Sequence, residues 1–471
     1  MSYQAEYSEH GKAVYMGKDL TEVRSPQRKL MPDTVGLEQH EQTSLRGIAR
    51  RAQTCKDHRV RDLYRCLDGP LLHRCWRDLN KRAASGVDDV TGQAYEQDLT
   101  ASIESLAERL KTKRYRAKRV RRCYIPKENG GERPLGIPAL EDQWVQLACA
   151  KLLGAIYEQD FLPVSYGYRP GRGAKDAVGD LGFNLQYGKI GHGVEADIKG
   201  FFDTIDHDWR LEMLSLRIDD RAFLNLIRKW LKAGILDTDG QVLHPVTGTP
   251  QGGIVSPIRA NVYLHYALDL WFERRVKPRC GGQVILIRYA DDFVCAFQYP
   301  HDAERFYRVL PKRLHKFGLQ VAPEKTRILR FSRFHPGLPR RFAFLGFELY
   351  WRPDWRGELR VMKRTARKKL QSAKRRMKEW IRANRHLRGR QFVLELNRKL
   401  VGHYNDFGLR SNEQSLNSFY TGTIQCAFKW LNRRGGKRSS FNWAQFSAAL
   451  EKLKVALPRT TERRREPVAF V

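Results

Sequence analysis

Tyr289-Ala290-Asp291-Asp292 lies between two short apolar runs, 284–287 and 293–297, and its reading decides the fold. Apolar runs flanking a short polar turn predict a β-hairpin. Adjacent carboxylates at its tip repel each other, so a positive charge has to compensate them, usually a divalent metal. A third acid, Asp197, stands 94 residues upstream at the end of the run Val194-Glu195-Ala196, with Ile198, Phe201, Phe202 and Asp203 following. Three carboxylates on strand ends suit a two-metal phosphoryl-transfer site. An Asp-Asp pair alone is ordinary turn chemistry. The pairing with Asp197 and its aromatic neighbours favours the metal site.

The chain has 471 residues, enough for two or three domains. Its 86 basic and 52 acidic residues leave a net charge of +34, which a polyanion would neutralise. Nucleic acid is the expected partner, with binding that weakens steeply in salt. No run of 18 apolar residues is present and the opening residues are polar, so neither a membrane span nor a secretory leader is expected. The expected location is the cytoplasm, with association with the nucleic acid partner. The eight cysteines are scattered without a CxxC pair, reading as reduced thiols rather than a zinc site.

Residues 1–40 lack periodicity, and the helical pattern begins at Arg59. Leu71, Leu72, Cys75, Trp76 and Leu79 form one apolar stripe; Tyr95, Leu99, Ile103, Leu106 and Leu110 form another. The spacing predicts a loop over 81–91, a hairpin around 126–131, and helices over 141–158, 207–217, 220–233, 258–273 and 302–317. Strands are expected at 194–197, 284–297, 326–331 and 342–350. Between Met362 and Leu400 there are fifteen Lys/Arg and two Glu, which marks a separate basic, all-helical domain linked through residues 350–353.

Other strings carry chemistry less specifically. Phe202 lies five residues past Asp197, where a ring could exclude a 2′-hydroxyl, although core packing, taken alone, explains it better. The Gly/Pro-rich stretch 248–257 lets backbone approach a ligand, and Gln251 offers an amide to ribose or base. Lys127 and Arg133 flank a turn, as side chains reaching a triphosphate would. Lys325 is either solvated or a proton donor to leaving pyrophosphate. Arg169 has aromatic neighbours suited to stacking on bases or to a core. Neither a P-loop nor a nucleophile elbow is present.

Taken in order, eight blocks resemble bacterial group II intron-encoded reverse transcriptases, the intron maturases. They are AASGVDDVT (83–91), IPK with RPLGIP (125–138), SYGYRPGRGAKDAV (165–178), EADIKGFFDTIDH (195–207), GTPQGGIVSP (248–257), RYADDFV (288–294), PEKTRI (323–328) and FAFLGF (342–347). The resemblance covers about 60–450. It implies an α+β right-hand polymerase: fingers and palm with an antiparallel palm sheet plus helices, and an all-helical basic thumb. The implied boundaries are an N-terminal extension (1–58, partly disordered), fingers (59–193), palm (194–350), thumb or maturase domain (351–456) and a basic tail (457–471).

By resemblance, Asp197, Asp291 and Asp292 hold two Mg²⁺ ions, with the Ile198 backbone as a further ligand. Phe202 becomes the sugar gate. Lys127, Arg133 and Gln251 surround the incoming nucleotide, and Lys325 faces the pyrophosphate. Phe344, Leu345 and Gly346 form the primer grip. Arg169, Lys368, Lys369, Arg375 and Arg376 are the expected RNA contacts. The implied partners are the intron RNA, an RNA template, a DNA primer or target, dNTPs and, at most, a second copy of the chain. Many relatives carry an HNH endonuclease with paired cysteines; here bottom-strand cleavage is not expected, so a target-derived primer would be needed. The rival readings are a retron, diversity-generating or defence reverse transcriptase, and an RNA-binding maturase whose polymerase site has decayed. The intact trio of Asp197, Asp291 and Asp292 disfavours decay.

Overall fold

The computed structural model describes residues 44–126, 131–243, 248, 252–334, 341–433 and 440–462. Lys127, Gln251 and the Arg463–465 cluster lie outside these described residues. The first helix, α1 (Leu45–Thr54), is capped by the Ser44 hydroxyl and buries Ile48 and Ala52. It begins before Arg59, where periodicity sets the onset, because Arg46, Arg50 and Arg51 mask a two-residue apolar stripe.

Helices α2 (Gly69–Asp78), α3 (Gly92–Glu96) and α4 (Leu99–Lys111) place their apolar stripes against α5 (Leu140–Tyr157). Trp144 of α5 packs 4.7 Å from Trp76 and donates to the Leu72 carbonyl at 2.8 Å, so its indole N–H is satisfied in the core. Strands β1 (Val120–Pro126) and β2 (Glu132–Ile137) pair antiparallel and extend through β4 (Ile235–Leu236) and β5 (Val242–Leu243) into a small sheet ordered β2-β1-β4-β5.

A helix unmarked by the sequence pattern, α6 (Ala174–Tyr187), buries Ala177, Val178, Leu181 and Leu185. Its Gly179 and Gly182 lower helix propensity, yet packing overrides them. Strand β3 (His192–Ala196) then leads through α7 (Phe201–Thr204), α8 (His207–Ser215) and α9 (Arg221–Lys232) to α10 (Ser256–Leu264). Beyond α10 the helix continues with π-type geometry at His265–Asp269 and Phe272–Val276.

Strands β6 (Val284–Tyr289) and β7 (Asp292–Phe297), helix α11 (Pro300–His315) and strand β8 (Arg327–Arg330) complete an antiparallel sheet ordered β6-β7-β3-β8. The β6–β7 hairpin is apolar on both faces because both are covered. Phe293, Cys295 and Phe297 belong to the main core with α10 and α11, whereas Val294 and Ala296 face a second core with α6.

Strands β9 (Arg341–Phe344), β10 (Phe347–Pro353) and β11 (Leu359–Thr365) form a three-stranded antiparallel sheet over that second core. Residues 350–353 are therefore not a linker, and 362–365 are not helical: both belong to the β10–β11 hairpin, whose second strand has a basic composition that runs on into the helix after it. The helical part begins at α12 (Arg367–Asn384) and continues through α13 (Gly389–Phe407), α14 (Glu413–Asn432) and α15 (Trp443–Lys452) around its own core. The chain after α15 does not leave as a tail at residue 457. Thr461 N donates to the Gly408 carbonyl at 2.8 Å, and Lys175 Nζ on α6 donates to Thr461 Oγ1 at 2.6 Å.

Candidate active site

The turn between β6 and β7 has only two residues, Ala290 and Asp291, since Tyr289 pairs with Asp292. Ala290 carries a φ of 57°, a strained value for a residue with a Cβ. The surroundings hold it there. Arg288 is fully buried, and its Nη1 donates to the Ala290 carbonyl at 3.0 Å and to Asn261 Oδ1 at 3.0 Å. Its Nε and Nη2 grip both oxygens of Asp269 at 2.7 and 2.6 Å, and Nη2 also reaches Ser165 Oγ at 2.7 Å. Asn261 Nδ2 donates to the Gly167 carbonyl at 2.7 Å, closing the ring of contacts. A Cβ on Gly167 would fall 2.4 Å from Ala290 N, so only glycine lets this segment lie against the turn. The π-type stretch ends on Asp269, which sets its carboxylate beneath the hairpin.

Asp197 follows β3 directly. In the β3–β7 register Ala196 faces Phe293, so the next position sets Asp197 opposite Asp292. Lys325 Nζ donates to Asp197 Oδ2 at 2.5 Å, placing an ammonium on that carboxylate. Burial raises the Asp292 carboxyl to about 6, with the Asp291 and Asp197 charges adding and Lys325 opposing. Its side chain still reaches solvent. Asp291 is raised by burial and then by Asp197, while Arg133 and Arg288 draw it down.

Among the described residues, no three His, Cys, Asp or Glu side chains are arranged, as they stand, to hold a metal ion. The donor set nonetheless fits one. Three carboxylates supply hard oxygen ligands at one strand end, two of them resist ionising together, and the Lys325 ammonium already occupies a cation's position on Asp197.

The remaining sequence candidates fall unevenly. Ile198 is buried and bridges Val321. Phe201 and Phe202 pack edge to face at 5.2 Å inside the main core. Arg133 is exposed on β2. Gly252, with φ 127°, sits so close to β2 that a Cβ would lie 2.3 Å from the Gly136 carbonyl, which ties the glycine-rich stretch to the first sheet. Leu345 and Gly346 form the two-residue β9–β10 turn, both with positive φ, and Leu345 shares the second core with Tyr289. Lys368, Lys369, Arg375 and Arg376 lie on the exposed side of α12.

Arg169 corrects an expectation. It is buried, with Nε on Glu158 at 3.0 Å and Nη1 on the Leu162 and Ser165 carbonyls at 2.9 and 3.0 Å. Its guanidinium also covers Phe161 at 5.2 Å. Those donors are engaged inside the protein, and the aromatic neighbours belong to the core. It is a structural staple, not an RNA contact.

Sequence reasoning passes over Arg288, Asp269, Asn261 and Ser165. The available signal was the single charge in an otherwise apolar strand at Arg288. It also passes over Tyr168, which is 52% exposed at a φ of 58°. The charges of Asp291 and Tyr289 act on its phenol, which stands beside the turn.

Residues 125–349 match the family model described as reverse transcriptase (RNA-dependent DNA polymerase). Protein YkfC of Escherichia coli (strain K12) is 32% identical over 354 residues, covering 67% of this chain and 90% of that protein. The group II intron-encoded protein LtrA of Lactococcus lactis subsp. cremoris is 38% identical over 226 residues, 47% of this chain and 37% of LtrA. An uncharacterized 91 kDa protein in a cob intron of Schizosaccharomyces pombe is 42% identical over 171 residues, 36% of this chain and 21% of that one. The chain thus spans most of YkfC but little more than a third of LtrA. No helix among the described residues is long and apolar enough to cross a membrane. With the paired strand-end carboxylates and the matched span in agreement, the chain belongs to the reverse transcriptase family, the RNA-dependent DNA polymerases.

Proposed function

We propose that the chain copies RNA into DNA at the β6–β7 turn and also serves a group II intron as its maturase and mobility enzyme. The observation that carries the polymerase reading is the register that sets Asp197 opposite Asp292, beside Asp291. Asp197, Asp291 and Asp292 would hold two Mg²⁺ ions, with the Ile198 carbonyl in support. Bound there, the metal supplies Lewis-acid chemistry that activates a primer 3′-hydroxyl and neutralises the triphosphate.

The chain's own residues do the rest. Arg288 holds the turn in place through the Ala290 carbonyl. Lys325, paired with Asp197 in the structure, would be the cation that meets the leaving pyrophosphate. Arg133, with Lys127 and Gln251, holds the triphosphate and base. Phe202 closes the sugar pocket against a 2′-hydroxyl. The turn at Leu345 and Gly346, with Phe344 behind it, supports the primer end.

The likeness to LtrA and to the cob intron protein supports the intron assignment. Lys368, Lys369, Arg375 and Arg376 on α12 would hold the intron RNA through its phosphates. On this reading residues 59–193 act as fingers, 194–350 as palm and 351–456 as thumb, with β10 and β11 joining the last two. Primer extension by the purified protein tests it: DNA synthesis on an RNA template is expected with Mg²⁺ and none without, and the reading is wrong if template and metal make no difference.

A further inference from the structure

Among the described residues, the three most exposed aromatic side chains lie on neighbouring segments away from the carboxylates. Tyr187, Phe334 and Trp355 are 65%, 77% and 85% exposed. Tyr187 ends α6, Phe334 follows β8, and Trp355 sits at the tip of the β10–β11 hairpin. The segments are tied to one another. Gln186 Oε1 accepts from Val361 N at 2.6 Å, and Gln186 Nε2 donates to the Leu359 carbonyl at 3.3 Å. Arg333 donates to the Gln186 carbonyl at 2.7 Å while covering Phe334 at 5.6 Å and Trp351 at 5.7 Å.

The patch is at the opposite end of the palm sheet from the catalytic turn. His192, which opens β3, pairs with Arg330 and Phe297, whereas Asp197 follows the other end. A five-residue strand separates the two by about 16 Å at 3.3 Å per residue. Exposed rings at that distance serve neither the core nor the chemistry.

Their neighbours indicate the occupant. Arg356 stacks on Trp355 at 4.3 Å, and Arg333 on Phe334, so the rings are interleaved with guanidinium groups rather than aliphatic side chains. A protein-docking patch would present contiguous apolar surface. Rings alternating with arginines suit unstacked bases on a phosphate backbone. Tyr187 and Arg360 also line a groove of about 1,920 Å³ whose lining includes Arg172, Lys175, Arg410 and, at the catalytic turn, Tyr289. The groove also carries Asp176, Asp180, Asp406 and Glu462, so it links Tyr187 to the turn through a lining of mixed charge.

We propose that Tyr187, Phe334 and Trp355, with Arg333 and Arg356, form a stacking platform for single-stranded RNA outside the polymerase site. The inference rests on the reading of this chain as an RNA-binding protein, but not on its catalytic chemistry. The platform reads no sequence by itself, because stacking accepts any base.

The test uses the full chain and a fluorescein-labelled oligoadenylate, followed by anisotropy, with primer extension on a short hybrid in parallel. Phe334→Ala with Trp355→Ala is expected to weaken oligoadenylate binding by about tenfold or more, the loss of two stacked bases, while extension is retained. Arg356→Ala should weaken it less and flatten the salt dependence. Both rings are solvent-exposed, so an unchanged melting temperature is the folding control. Unaltered RNA affinity in the double variant overturns the platform. Unaltered affinity with loss of self-association in light scattering overturns it as well, and identifies the patch as a contact between copies. If the unmutated protein binds no RNA, the failure lies with the RNA-binding reading itself.

Discussion

Arg288 and Asp269 form a doubly hydrogen-bonded ion pair, 2.7 and 2.6 Å, with both side chains wholly excluded from water. The pair lies under the β6–β7 turn and passes its geometry to the Ala290 carbonyl. Removing one partner of such a pair leaves a buried, uncompensated charge, which costs about 3–5 kcal/mol. Arg288→Met should therefore lower the melting temperature sharply. Adding Asp269→Leu should restore much of that stability, because an apolar pair of similar volume packs well. Activity should not return, since Ala290 and Ser165 still lack their donor. The expected signature is a lower kcat with an unchanged KM for primer–template. A stable double variant that polymerises normally would show that the pair only supports the fold.

The carboxylates and the basic helix α12 are separate devices on this account. Replacing Asp291 and Asp292 by Ala should abolish Mg²⁺-dependent DNA synthesis and leave RNA affinity within a few-fold of the original. Replacing Lys368, Lys369, Arg375 and Arg376 by Ala should weaken RNA binding and reduce its salt slope by about one for every phosphate that is no longer neutralised. Filter binding beside primer extension measures both, and equal loss of both activities in either variant contradicts the division.

Phe202 is 9% exposed and belongs to the main core, so its ring is held rigidly wherever it meets a sugar. Phe202→Val should raise ribonucleotide incorporation relative to deoxynucleotides, with a modest loss of stability. Competition between rATP and dATP in single-nucleotide extension reads the ratio directly. An unchanged ratio assigns the ring to packing alone.

Two histidines give the protein an acid-sensitive fold. Burial lowers His265 and His403 to about 4, and neither is protonated in the native state at neutral pH. Unfolded, each binds a proton near 6.5, so between about 6.5 and 4 the unfolded chain holds more protons. Stability then falls as pH falls through that window. A depression of that size corresponds to about 3 kcal/mol per histidine. The buried Asp142 carboxyl, raised to about 6, works in the opposite direction. Comparing His403→Phe with the unmutated protein isolates one histidine: its melting temperature should fall less between about pH 6.5 and 4, and parallel curves would refute the assignment.

How much of this was legible beforehand depends on where the signal resides. The hairpin at Asp291 and Asp292, the strand before Asp197 and the helices over 140–157 and 300–315 follow from local periodicity and turn residues. Helix α6 was hidden by its glycines, and strand β11 by a basic composition that runs on into α12. Arg169 and Arg288 show the harder limit. One was expected as an RNA contact and the other was passed over, yet both are buried and hydrogen-bonded inside the protein. Composition cannot tell a solvated guanidinium from a buried one, because the partners Glu158 and Asp269 are brought up by tertiary packing.

The most direct measurement is a crystal structure of the protein with Mn²⁺, an RNA–DNA template–primer and a non-hydrolysable nucleotide, read by anomalous scattering. Density for metal within reach of Asp197, Asp291 and Asp292 together, with Lys325 turned away from Asp197, is the predicted result. Metal bound elsewhere, or Lys325 still seated on Asp197 with no ion beside the turn, would contradict the account.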